Sequence, residues 1–335
     1  VTPRAFARLG TAAVAAVAIA SLAFAPAASA DIITIPNTTT SPVYTPWSDV
    51  LPGWNDALDT GSSNDCASGR PNCLNVSLRE ELHVFTPLAQ SCSHLAIFPL
   101  AYVRMTQTYG WTRDQAGYYR DVPYMNHMDA VFAKYYTDAY YNWTSGNTSA
   151  VPQAWQYAFG AGQAKTVTGA GDLFLGMNAH INRDLPFVLY ASGLVESDHT
   201  TSGKSDYDAV EKWLYDDTAP LLAEAAQRFD PTIDDGTNPW VDYFTFQMVS
   251  AWRENAWRNA EALASAPDAQ SRALVAAKIE NDANNIAQGM LGAFAMNPTT
   301  QSNATRDAYC AAHNGDTAPQ SFPMGTPAPW GNTVN

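Results

Sequence analysis

Between residues 75 and 296 the apolar positions recur every three or four residues, the period of a helix with one buried face. Segments 77–90 and 93–109 make a first pair, with Pro87 and Pro99 expected to end or bend them. Met128, Val131, Phe132, Tyr135, Tyr136 and Ala139 place a helix over Tyr124–Trp143. Pro152 opens another through Trp155 and Phe159, at a position where its missing N–H is harmless. Further helices are predicted over 171–192, 205–229, 239–264 and 269–296. The third-from-last of these starts with Ser205 as cap and Asp206 and Asp208 in its first turn, and Pro220 is expected to kink or divide it. Val/Ile alternation is nearly absent, so no sheet of any size is predicted. The expected fold class is all-α, a single domain of about eight or nine helices.

The pattern breaks at both ends. Arg4 and Arg8 precede an apolar Ala/Val/Leu run that leads to Ala28-Ser29-Ala30, which reads as a signal peptide over residues 1–30. Pro36, Pro42, Pro46 and Pro52 among Thr and Ser make residues 31–74 an extended arm followed by a small loop. Residues 297–335, rich in Pro and Gly, are expected to be an irregular tail packed on the body. An exported chain meets an oxidising compartment, so its four cysteines are expected to form two disulfides. Cys66 and Cys73 bracket a short segment and would staple it. Cys92 and Cys310 would then fasten the C-terminal tail to the body. None has Cys-x-x-Cys spacing, which removes the usual redox and zinc-ribbon readings.

The formal net charge is −14, and loss of residues 1–30 would make it two units more negative. That sign argues against binding nucleic acid or an anionic membrane surface. At 46% hydrophobic and 12% aromatic, the composition is that of a chain with a packed core. The body shows no run of uncharged apolar residues long enough for a transmembrane span.

One helix departs from simple amphipathicity: Gly171-Asp172-Leu173-Phe174-Leu175-Gly176-Met177-Asn178-Ala179-His180-Ile181-Asn182-Arg183-Asp184-Leu185. At about 100° per residue, Asp184 lies about 40° from His180, on the same apolar face as Leu173, Met177 and Ile181. Asn178 and Asn182 stack four apart on another side, and Arg183 marks the expected solvent face. Four polar groups on a core helix must find partners, either as a structural network between helices or as the wall of a site.

This segment resembles the Gly-Met-Asn-Ala-His-Ile-Asn-x-Asp-Leu signature of a mostly bacterial helical family called domain of unknown function 5995. The resemblance covers about residues 75–295. It includes Asp129 in Met128-Asp129-Ala130-Val131-Phe132, Trp155 after Pro152, Asp206-Tyr207-Asp208-Ala209-Val210, and Arg253 with Ala256-Trp257 and Ala260. It implies a helical fold and a polar cluster, and supplies no reaction.

His180 and Asp184, four apart on a helix, can share a divalent ion such as zinc if one or two further ligands join them. His83, His127, Asp129 and Asp206 are the candidates, with Asp129 expected to face inward in preference to His127. The spacing is also similar to a fragment of the secreted all-helical zinc phospholipases C and single-strand nucleases. Their further histidines have no counterpart after Pro186, and a His-Glu-x-x-His motif is absent. Without metal, His180 could serve as general base with Asp184 or Asp129 orienting it, Tyr135, Tyr136 or Tyr190 being available as proton donors. No Gly-x-Ser-x-Gly elbow supplies a nucleophile. Arg253 is expected to pair with Asp184 or Asp206 if it faces inward. His94, His199 and His313 look isolated.

Two readings follow. One is a secreted hydrolase acting on a small-molecule or polymer substrate, with His180, Asp184 and Asp129 in a pocket able to hold a divalent metal such as zinc and Asn178, Asn182, Asp206 and Arg253 in support. The other is a non-catalytic extracellular binding or structural domain in which the same residues fix helix register.

Overall fold

The computed structural model describes residues 57–234, 239–297 and 301–316. The signal peptide and most of the N-terminal arm therefore lie outside the described residues. The chain is all-helical: α1 (Cys73–Gln90), α2 (Ile97–Arg113), α3 (Val122–Thr144), α4 (Gln153–Ala164), α5 (Gly169–Met177), a π-helical segment (Asn178–Asp184), α6 (Leu185–Ser192), α7 (Lys204–Arg228), α8 (Pro239–Ser265), α9 (Ala269–Ala293) and α10 (Asn303–His313). Since α5, the π segment and α6 run on as one rod, nine helical rods are present among the described residues. Extended pairing there is limited to the isolated bridges Val167–Ala295 and Val195–Ser202.

Side-chain caps set several helix starts. Asp121 accepts the Tyr124 N–H at 2.9 Å, Thr168 the Gly171 N–H at 3.2 Å and Asp268 the Ser271 N–H at 2.7 Å. The cap expected at Ser205 is not made. Gly203 precedes α7, and Asp206 in the first turn turns instead to the backbone N–H groups of Arg120 and Asp121, at 2.9 and 2.7 Å. Pro87 and Pro220 lie inside α1 and α7 without ending them. The tail expected to be irregular contains α10, whose start is capped by Ser302.

The α5–π–α6 rod is the centre of the molecule and touches α2, α3, α4, α8 and α9. Its close approach to α2 depends on Gly176, where a Cβ would lie 2.5 Å from a ring carbon of Phe98. Two large apolar clusters fill the body. One joins α1, α2, α4 and α5 with parts of α3, α7 and α9, and the other joins α3, α6, α7, α8 and α9. Arg104 of α2 forks onto Glu224 of α7 at 2.8 and 2.6 Å, fully buried, and Arg228 meets the same carboxylate at 2.7 Å.

Both expected disulfides are present, Cys66–Cys73 and Cys92–Cys310. The second ties α10 to the turn after α1. Around it His94, which looked isolated in the sequence, is buried and bonds Asp307 at 2.9 Å, while Arg306 bonds Asp172 at 2.8 Å. Cys310→Ser is expected to lower folding stability by about 2 kcal/mol, because the bond closes a long loop. Urea denaturation of the variant beside oxidised wild type checks this.

Candidate functional site

The rod changes pitch where the polar residues sit. The Leu185 N–H bonds the His180 carbonyl five residues back, the wide turn of a π-helix. Pro186 explains the placement: an α-helical ring there would collide with the Asn182 carbonyl and leave it without a donor. Widening the turn lets the rod pass the proline, which the sequence suggested would end or kink it. The wider turn also moves Arg183 inward. The predicted solvent-facing arginine is 4% exposed, bonds Glu280 of α9 at 2.8 Å and Asp184 at 2.9 Å, and stacks over Phe187.

Asp184 is fully buried and fully used. Trp155 of α4 donates its indole N–H at 2.8 Å to the oxygen that faces His180 Nδ1 at 3.3 Å, and Arg183 holds the other. Asn178 donates to the Ala283 carbonyl of α9 at 2.8 Å, and Asn182 donates to Asn178 at 3.0 Å. These bonds lash the π segment to α4 and α9. In this respect the cluster is a structural network.

His180 belongs to that network on one side only. A carboxylate can only accept, so the ring proton sits on Nδ1 and Nε2 carries a lone pair. Burial holds the imidazole below its usual pKa against the pull of Asp184, so the ring is neutral at pH 7. It lies flat on Phe132, centroids 3.5 Å apart, with Tyr102 edge-on at 4.5 Å. Nε2 is buried and has no hydrogen-bond partner among the described residues.

On this side a cavity of about 160 Å³ opens between α2, α3, the rod, α7 and α8. Its wall is apolar and soft, with Met105, Met125, Met128 and Met177 beside Phe98, Phe132 and Trp213. Its polar residues include His180, Tyr102 and Asp129, and the Tyr102 hydroxyl and Asp129 Oδ2 are also buried without a partner among the described residues. Burial pushes the Asp129 carboxyl up to about 7, with Arg113 pulling the other way. Burial likewise raises Tyr102, reinforced by Glu81 and Asp129. Glu81 of α1 stands behind the wall, fully buried, and accepts the hydroxyl of the lining Thr106 at 2.8 Å.

The structure thus brings His180 and Asp129 to one cavity, as the sequence proposed, and commits Asp184 to Trp155 and Arg183. Both His127 and Asp129 point inward, where only one was expected: His127 is completely buried, with Nδ1 2.8 Å from the Cys66 carbonyl. Asp206 holds the α3 entry loop and does not line the cavity. Arg253 lines the cavity but pairs with Glu211 at 2.6 Å and the Tyr207 carbonyl at 2.7 Å, not with Asp184 or Asp206. Among the described residues no group of three or more His, Cys, Asp or Glu side chains is placed to hold a metal ion. Sequence reasoning missed Tyr102 and Glu81. The signal was there for Glu81, a carboxylate within the apolar stripe Leu78, Val84, Phe85 and Leu88, whereas Tyr102 reads as ordinary core beside Phe98 and Met105.

The sequence profile of a family described as a family of unknown function, DUF5995, matches residues 79–293, and the chain belongs to that family. No curated protein and no solved structure matches the chain. Among the described residues no helix is long and apolar enough to cross a membrane.

Proposed function

We propose that this member of the DUF5995 family binds a small, largely apolar molecule in the α2–α3–α7–α8 cavity and reads its polar end with His180, Tyr102 and Asp129. The observation that carries the reading is the convergence on one apolar cavity of four buried polar atoms without a partner among the described residues: His180 Nε2, the Tyr102 hydroxyl, Asp129 Oδ2 and Thr245 Oγ1. Buried polar atoms are nearly always paired, and leaving one unpaired costs about 1–3 kcal/mol, so a ligand bearing a hydrogen-bonding group relieves that cost on entry. A cavity of about 160 Å³ resembles in size one of about 150 Å³ known to accept benzene. The proposal includes export, in keeping with two disulfides and the leader-like N-terminus.

Calorimetric titration with benzyl alcohol and 1-hexanol tests it. Saturable one-to-one binding is expected, weakened about tenfold or more by Ala101→Leu, which fills the cavity from α2. Val210→Phe fills it from α7 should the first variant fold poorly. Equal affinity in wild type and a folded filled variant would sink the proposal.

A second reading has its own observation. Neutral His180 with Asp184 on Nδ1 and a bare Nε2 is the arrangement of a general base. Asp129, with its pKa near 7, could return a proton. A hydrolase of this kind would deprotonate a water at His180 Nε2, without protein nucleophile or metal. Turnover of small apolar esters or amides that disappears in folded His180→Gln favours it; turnover retained in that variant rejects it.

A further inference from the structure

We infer that the cavity is built for a cationic ligand, an apolar primary amine or ammonium compound whose charged head sits against Asp129 within the aromatic wall. The inference rests on the binding reading above and names the chemical class of its ligand.

The groups that face Asp129 from the packed elements are unbalanced in charge. Glu81 on α1 is a second acid, whose ionisation burial and the charge of Asp129 both disfavour, and Tyr102 and Tyr109 on α2 contribute only phenols. From the rod comes His180, a neutral imidazole. Two arginines lie in range of the site and both are spent elsewhere. Arg113 bonds Asp114 at 2.9 Å and the Pro71 carbonyl at 3.0 Å, and Arg253 bonds Glu211 and Tyr207. The lining residues supplied by α7 carry no charge: Val210, Trp213, Leu214, Thr218, Leu221 and Leu222. Asp129 Oδ2 thus has no hydrogen bond among the described residues and feels Arg113 only through space, inside a cavity whose wall includes Phe98, Tyr102, Phe132 and Trp213.

That combination is the complement of an organic cation. A carboxylate supplies the opposite charge and accepts N–H bonds, and aromatic faces attract a cation further when both are desolvated. An anion would meet two acids and no free base. A neutral alcohol would satisfy one orphan atom but leave the carboxyl as it is. The chain's net charge of −14 also enriches cations around it.

Matched pairs of nearly equal shape isolate the charge: benzylamine against benzyl alcohol, and hexylamine against 1-hexanol, each titrated calorimetrically into the protein at pH 8. Each amine is expected to bind about tenfold or more tighter than its alcohol. Asp129→Asn, with fold confirmed by circular dichroism, is expected to erase that preference while keeping alcohol affinity. Alcohols that bind as tightly as the amines, or an amine preference that survives Asp129→Asn, would overturn the inference and leave the binding reading standing. Failure of all four compounds to bind would instead remove the binding reading itself. Should Asp129→Asn not fold, Tyr102→Phe provides the second variant. Loss of the Tyr102 hydroxyl is expected to leave the amine preference intact, and its disappearance there would count against the assignment to Asp129.

Discussion

Asp184→Ala is expected to lower folding stability by about 3–5 kcal/mol, whatever the protein binds or catalyses. The variant would strand three buried donors at once: the Trp155 indole N–H, His180 Nδ1 and one Arg183 nitrogen. Arg183 would keep Glu280 at 2.8 Å but lose the second carboxylate that holds its charge in the interior. Breaking a buried pair from one side is far more damaging than replacing both partners, because the remaining charge stays dry. Asp184→Asn preserves the shape and an acceptor for Trp155, so its loss should be smaller. Urea denaturation of both variants gives the comparison; an alanine variant within about 1 kcal/mol of wild type would mean the network does not hold the rod. Loss of activity in Asp184→Ala alone therefore says little about catalysis.

The second large effect is stabilising. Asp217 of α7 is completely buried, and neither of its oxygens has a hydrogen-bond partner in the described residues. Thr108 beside it gives its hydroxyl to the Arg104 carbonyl at 3.0 Å. Burial pushes the carboxyl up to about 8 from an ordinary 3.8, with Asp216 adding to the rise and Thr108 opposing it. The folded state then holds a proton that the unfolded state releases, so the contribution of Asp217 to stability is fully present below about pH 4 and is lost as pH rises through about 8. Asp129 and Asp172, each raised to about 7, tilt the same way over a narrower range. Asp217→Asn is expected to stabilise the protein at pH 9, by at most on the order of 5 kcal/mol, and to be nearly neutral at pH 4. Thermal unfolding at the two pH values checks it. An unchanged or lowered Tm at pH 9 would show that the Asp217 carboxylate has a partner in the folded state.

The helical class, the centrality of the 171–185 segment and the two disulfides were legible from period and composition alone. The departures share one cause. A wheel of constant pitch placed Arg183 toward solvent, but Pro186 forces a wide turn that only the full backbone reveals. Pairings across the fold were equally hidden: Arg253 sits between Glu211 and Tyr207, which are chosen by how α7 lies on α8. His94 shows the same limit, since its partner Asp307 lies more than 200 residues away on a helix that the Pro/Gly-rich tail did not announce. Asp129 was found from sequence because a carboxylate stood near an apolar helical stripe. Tyr102 was not, because a tyrosine in a core stripe has no exceptional pattern, and only its unpartnered hydroxyl singles it out.

The central claim is that His180, Tyr102 and Asp129 face a ligand and do not merely fill a core. A crystal structure of the protein soaked with benzylamine and, separately, benzyl alcohol tests it most directly. The account predicts the aromatic ring of either compound among Met105, Met128 and Phe132, with its nitrogen or oxygen within hydrogen-bond reach of one or more of the three groups. A cavity collapsed around neighbouring side chains, or a ligand seated elsewhere with His180 Nε2, the Tyr102 hydroxyl and Asp129 paired within the protein, would contradict it.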